Sequence, residues 1–565
     1  MKKLLLLLLS LSPIVAQSTF IPYNRDYYHL IDRFQIKYSF AENILPTTFK
    51  PLRRSDLSDF LLSIQDKYDS FSTEDQFSFE FLMNDNWEWT NSPYNENAKN
   101  WWNLAYERKS DFYVYQSEDF IIRVNPMFYF TRGKDEDEPQ TLYTNTRGIE
   151  VQGMIDDKIG FYSMLTTTQS RFPRYVHDFI RTNQSFPNEG YWKDGEGGTM
   201  AWDFFHARGY ITFDLSKSID VQVGHDKKFI GQGLRSMVLS DFSSPFLFGQ
   251  INTKLGKVRY TNLFGQLTEN IIFAGVNPGD GDYPKKYLIM HRLSINLLPH
   301  LELGVFETIM SGNANINYFN SLIFYRALEQ QEGSPDNTLV GLDFNYVYKN
   351  SIQLYGQFVL DEFVIDVLRS GNGDWRNKYG VQLGAKYLDA LNLSNLDLQI
   401  EYNIARPYFY AYEDPALSFT NYRNPLAHPM GANFREIFFS ARYQPSPKVS
   451  LNAKVIRTLT GEDSNGQNFG GELLKTTNSR IDNFGNSIGQ GLNTKITYIE
   501  TVYTYSILSN LFADFSLARR RYDQKNNSNP LSSSLIGTLS LRWNLPQRVI
   551  TNSKTNISNL PPLRA

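Results

Sequence analysis

The chain has 565 residues, a net charge of -3, no cysteine, and 41 Phe, 35 Tyr and 8 Trp. Without Cys there is no disulfide framework and no thiolate metal centre, and the near-neutral charge gives no global pull toward nucleic acid. No apolar run after residue 18 approaches spanning length, which excludes a set of spanning helices, and a mean hydropathy of -0.40 with 15% aromatics suits alternating strands with aromatic girdles.

In chain order, Lys2 and Lys3 precede the apolar run Leu4–Leu9, and small residues follow at Ala16 and Ser18. This predicts a signal peptide over 1–18, cut after Ala16 or Ser18, and an exported chain. Residues 19–110 predict a small helical region in the periplasm. One helix is expected over Arg25 to Tyr38. Ser55 is expected to cap a second, with Leu57, Phe60, Leu61 and Ile64 at i, i+3, i+4 and i+7. A third is expected from Ser72 to about Trp89, with Thr73 and Gln76 at capping-box spacing.

From about residue 112 the period becomes two. Ile219, Val221 and Val223 alternate with Asp220, Gln222 and Gly224; Leu396, Leu398, Ile400 and Tyr402 alternate with Asp397, Gln399, Glu401 and Asn403. The pattern over 111–545 predicts an all-β fold, a transmembrane outer-membrane β-barrel of about 18 antiparallel strands. Connections are expected to alternate strictly between short turns (Asp156–Lys158, Pro299-His300, Lys349-Asn350) and long links (172–203, 230–245, 270–284, 312–337, 409–433, 462–493). Pro126 predicts a bulge or break in the first strand. Asp220, Glu401, Lys378, Arg435 and Arg208 are expected to face the lumen. The tail 546–565 is Asn-, Ser- and Pro-rich and predicts disorder.

Two long links carry dense aromatics beside Arg. Loop 172–203 holds Tyr175, His177, Phe179 and Trp192, and loop 409–433 holds Tyr410, Tyr412, Tyr422, Arg423 and His428. Ring faces with planar polar groups suit a carbohydrate; the same rings could equally pack the loops together. The Gly- and charge-rich stretch from Gly224 to Ser236 matches no phosphate loop and reads as a folded-in loop, with Asp226 paired to Lys or Arg. None of the seven His sits in a metal spacing and no GxSxG elbow occurs, so no enzyme, cofactor or metal is predicted.

The stretches GHDKKFIGQGLRSMVLSD (224–241), NTKLGKVRYTNLFGQL (252–267), ALEQQEGSPDNTLVGLDF (327–344), ARPYFYAYEDPALSFTNYRNPLAHPMGANFRE (405–436) and PLRRSDLSDFLLSI (51–64) resemble the Wzi-type capsule assembly family. They look like its Bacteroidetes branch, which includes RemB-like proteins associated with gliding motility. The resemblance implies an 18-stranded outer-membrane barrel with a periplasmic helical bundle, engaged in capsule assembly by non-catalytic polysaccharide binding. The resemblance carries over no established binding residues; within its motifs Asp226, Lys228, Arg235, Arg406, Tyr408, Asn421, His428 and Asn433 are the candidates for a glycan site or its scaffold, with Tyr175 and Trp192 added from loop 172–203. Expected partners are surface or capsular polysaccharide, outer-membrane lipids and a periplasmic protein on residues 19–110. A passive porin-like channel, or a part of a gliding-motality or secretion machinery, are the other readings.

Overall fold

The computed structural model describes residues 18–38, 45–92, 106, 108–191, 201–269, 283–319, 325–331, 333, 336–361, 367, 371–525 and 531–548. The expected signal peptide lies outside them except for Ser18, as does the tail beyond 548. Eighteen long antiparallel strands form one closed barrel. They are β1 Phe120–Asp135, β2 Glu138–Ile155, β3 Ile159–Arg171, β4 Trp202–Ser216, β5 Ile219–Asp226, β6 Phe246–Leu255, β7 Val258–Thr268, β8 Lys285–Leu298 and β9 Leu301–Ser311. The circle continues with β10 Asn337–Tyr348, β11 Ile352–Asp361, β12 Lys378–Tyr387, β13 Leu396–Ala405, β14 Phe434–Ser446, β15 Val449–Glu462, β16 Leu492–Leu508, β17 Leu511–Gln524 and β18 Leu531–Trp543. β18 closes on β1 from Trp543↔Phe128 to Ile536↔Asp135.

The alternation has one physical cause, lipid outside and polar contacts within. Ile211, Val223, Leu383, Ile400, Phe515 and Leu539 stand exposed on the outer face. Their neighbours Thr212, Gln222, Gln382 and Glu401 are buried inside. No described helix is long and apolar enough to cross a membrane. One phase differs from expectation. Arg435 points outward, and Glu436 with Phe434 and Phe438 points in. The lumen here is packed with side chains, so apolar residues occur on both faces and blur the period.

Of the eight connections at one end, seven are two or three residues long. Asp156-Asp157 and Lys349-Asn350 take positive φ, as tight hairpins require. The exception is 388–395, which folds a short turn over Ala390–Asn392. The alternation is not strict at the other end either, because β1 and β2 are joined by Glu136-Asp137 alone. Pro126 does not interrupt β1 and pairs in register with Ile149. The break falls in its other neighbour: the short strand Tyr113–Gln116 pairs with Ile121–Val124, and β1 pairs with β18 only from Phe128 onward. Asn544 Nδ2 donates to the Pro126 carbonyl in the gap (2.7 Å).

The N-terminal region forms α1 Arg25–Lys37, α2 Arg54–Ser63 and α3 Thr73–Asp85. Asn24 caps α1, accepting from Asp26 N and Tyr27 N. Ser55 does not cap α2; its residue lies in the first turn, where Ser55 N donates to Ser18 Oγ. The cap of α3 is Ser72, accepting from Asp75 N, one residue before the expected box. The three helices share a core of Ile31, Phe34, Leu57, Phe60, Phe79 and Leu82. They sit in the short-turn mouth of the barrel against inward wall residues. Arg33 bonds Asp397 at 2.6 Å, Lys386 bonds Asp32 at 2.6 Å, and Arg442 bonds Asp26 at 2.7 Å.

Candidate functional site

The segment 227–245, between β5 and β6, folds into the lumen as a plug. Met237, Val238 and Leu239 are fully buried against wall residues including Leu263, Met290, Phe306 and Met310. Phe49–Lys50 pairs antiparallel with Phe229–Ile230, so the N-terminal segment adds a strand to the plug. Two wall carboxylates hold it. Glu401 accepts from Leu234 N (2.8 Å), Arg235 N (3.2 Å), Tyr355 OH (2.9 Å) and Asn403 Nδ2 (2.8 Å). Glu436 accepts from Arg235 Nε (2.9 Å) and Thr458 Oγ1 (3.0 Å), and lies 3.0 Å from His428 Nε2. Since Met430 N donates to His428 Nδ1 (3.2 Å), the ring proton sits on Nε2 and donates to Glu436. A carboxylate this buried is tolerated only with such partners.

The candidate residues fall into three groups. Asp226 and Lys228 lie at the plug's root. The Asp226 carboxylate accepts from Lys227 N (2.7 Å) and stands 3.7 Å from Arg208. Lys228 Nζ donates to Gln222 (2.7 Å) and lies 3.8 Å from the Phe248 ring centre. Arg235 and His428 meet on Glu436. Arg406, Tyr408, Asn421 and Asn433 knit the outer loops. Arg406 donates to the carbonyls of Asn377 and Asn486, and Tyr408 OH to that of Asn468. Asn421 bridges Thr268 N and the Ser244 carbonyl. Asn433 takes a left-handed φ of 59°, accepts from Gly489 N, and donates to Gly461, Phe469 and Gln490 carbonyls. All but Arg406 are buried. Tyr175 is buried on a helix in loop 172–201, α4 Arg174–Asn183, with the Arg520 guanidinium 4.7 Å from its ring. Trp192 lies outside the described residues.

Loops 172–191 and 406–433 meet. Asn424 Nδ2 donates to Ser185 Oγ and to the Phe186 carbonyl, both at 2.9 Å. Loop 463–491 folds down on them through Asn433 and Tyr408. Tyr408, Tyr410, Tyr422 and Arg423 all hold positive φ, a costly conformation for large side chains that persists only where the surroundings enforce it. On the outer rim of this cap, Ile481 and Phe484 stay exposed. Beside them the Arg480 guanidinium lies 4.2 Å from the Trp375 ring centre, and Arg376 is half exposed in a 2.7 Å pair with Asp374.

The family profile described as capsule assembly protein Wzi matches residues 203–514, more than half of the chain. The chain belongs to the Wzi capsule assembly family. The solved structure of the Escherichia coli protein Wzi, described as an outer membrane protein involved in group 1 capsule assembly and a carbohydrate-binding β-barrel, shares the fold. The two are 12% identical, with a TM-score of 0.56, over 94% of this chain and 100% of that one. Outer membrane protein OprD of Pseudomonas aeruginosa overlaps less, at TM-score 0.39 and 9% identity over 75% of this chain and 92% of its own. A search of curated proteins finds no match.

In this Wzi-family barrel, several residues that set the site carry no mark in the sequence. Arg33 is the hub at the short-turn mouth, bonding Asp75, Asp389 and Asp397 at 2.6 Å each and Asn395 at 2.7 Å. Burial alone would raise the Asp389 carboxyl, but Arg33 and Lys37 outweigh it and bring it down to about 2. In α4, burial and then Arg181 and Arg174 push His177 down to about 4. It is therefore neutral, and its Nδ1 accepts from Trp202 Nε1 at 3.2 Å. Glu436 was legible in principle, since Phe434, Glu436 and Phe438 share one face of an alternating run.

Proposed function

We propose that this outer-membrane barrel holds capsular or other surface polysaccharide at the cell surface without catalysis. The observation that carries the reading is the closed outer end of a Wzi-family barrel: its loops bond to one another, and its lumen holds a plug and three helices. Such a body presents a surface and has little use as a conduit. The buried candidates Asp226, Lys228, Arg235, Tyr408, Asn421, His428 and Asn433, with Arg406 and Tyr175, act as scaffold for that surface. Glycan contact falls to the rim, foremost to exposed Arg376 and Phe484 beside the partly buried Trp375, where a ring face covers a sugar face and guanidinium donors bond hydroxyls. Weak contacts repeated along a polymer add up through multivalency. The apolar outer belt takes outer-membrane lipid, and the leader is removed after Ala16, which leaves Ser18 in place against Ser55.

The test is retention of the purified organism's own surface polysaccharide by detergent-solubilised barrel. Wild type is expected to retain it, and Trp375→Ala with Arg376→Ala to retain at least tenfold less. Equal retention by the two proteins, or none by wild type, would contradict the assignment of this face.

A further inference from the structure

The plug fills the lumen unevenly. Against β1–β4 and β14–β18 a cavity of about 350 Å³ remains, reaching from Lys448 and Asn510 at the short-turn end to Phe172 and Phe204 near the long loops. That volume holds on the order of ten waters, or one sugar-sized molecule. Its cations are unevenly neutralised. Arg25 is paired with Asp241, Arg442 with Asp26, and Arg542 with Asp514. Lys227 and Arg548 have no carboxylate at ion-pair distance among the described residues. Lys227 is buried, and its Nζ has a single acceptor, the Asp241 carbonyl at 3.3 Å. Among the described residues Arg548, on the chain just past β18, donates to Thr168 Oγ1 at 3.3 Å and lies 5.4 Å from the Phe204 ring centre. Arg208 stands with them, spending its Nε on His206 Nε2 at 2.6 Å and reaching Asp226 only at 3.7 Å. Burial, then Arg208 and Arg548, disfavour the Lys227 ammonium, against the attraction of Asp241 and Asp226.

Three cations that converge on an internal cavity, with most of their donors unspent, cost free energy unless an anion joins them. We propose that this cavity is a binding site for a small water-soluble oxyanion, a carboxylate- or phosphate-bearing molecule of sugar size, entering from the short-turn end. Lys227 and Arg548 bond the anionic group, Arg208 adds field, and Phe204 with Phe186 covers the less polar body. Burial keeps the attraction from being screened as a surface pair would be. The site lies inside the lumen, among residues distinct from those of the rim, and does not rest on polysaccharide binding there.

The probes are inorganic phosphate, glucuronate and uncharged glucose, titrated calorimetrically into the full-length barrel in detergent. The variant carries Lys227→Gln with Arg548→Gln, and its folding is checked by heat-modifiable gel migration. Lys227→Gln keeps a donor for the Asp241 carbonyl, and Arg548 lies outside the barrel strands; should the double variant misfold, Arg548→Gln alone takes its place. Saturable binding of phosphate or glucuronate, at least tenfold weaker in the folded variant and not shared by glucose, supports the site. Absence of saturable binding by either anion, unchanged affinity in the variant, or equal binding of glucose overturns it.

Discussion

Glu436 illustrates how single residues hold this molecule shut. Its carboxylate is fully buried and is satisfied by Arg235, His428 and Thr458. Arg235 comes from the plug, His428 from an outer loop, and Thr458 from the wall. Removing one partner of a buried pair leaves the other charge stranded, at a cost of about 3–5 kcal/mol. Arg235→Ala is therefore expected to lower the urea midpoint of the refolded barrel by that free energy. Adding Glu436→Gln should restore part of it, because the neutral amide no longer needs a cation. An Arg235→Ala midpoint equal to wild type would refute this role. A second residue works by shape. A side chain at Gly384 would start 2.2 Å from Tyr355 Cζ, and Tyr355 OH donates to Glu401. Gly384→Val is expected to cost about 1–3 kcal/mol and to loosen the plug, seen as faster amide exchange over 231–238.

At the scale of elements, two helices carry their own pH responses. The Asp389 carboxyl in the short-turn end falls to about 2 because Arg33 and Lys37 on α1 face it. A folded value below the unfolded one, ~3.9, means its contribution is present above about 4 and lost as pH falls through about 2. Docking of α1 should weaken in that window, measured as exchange of α1 amides; Asp389→Asn should remove the dependence. His177 on α4 lies at about 4, below an unfolded value of ~6.5. Its contribution is likewise present above about 6.5 and lost as pH falls through about 4. Amides of α4 should lose protection between those values, and His177→Gln should flatten the curve. Helix exchange independent of pH from 7 to 4 would contradict the assignment.

For the whole molecule, the strands were legible because lipid and lumen impose opposite demands on alternate residues. The eighteen strands fall where the period of two places them, with ends shifted by a few residues. The filling of the lumen was not legible. Arg33, Glu401 and Arg235 look like ordinary helix, lumen or loop polar groups until the chain is closed into a ring, because each has a decisive partner some 170 to 360 positions away in sequence. The same filling explains the one misread face at Arg435. The candidate residues of the 224–241 and 405–436 stretches are positions of the family-like motifs, and in the fold their polar groups bond to neighbouring loops, plug and wall. A barrel so filled is expected to show no stable conductance in planar bilayers, whereas a steady open-channel current would favour the porin-like reading.

The role at the cell surface is tested most directly by measuring cell-associated and released polysaccharide in a strain lacking the gene for this chain. Retention without catalysis predicts that total polysaccharide is unchanged while the cell-associated share falls and the released share rises, with wild-type protein restoring the balance. An unchanged cell-associated share would contradict the account.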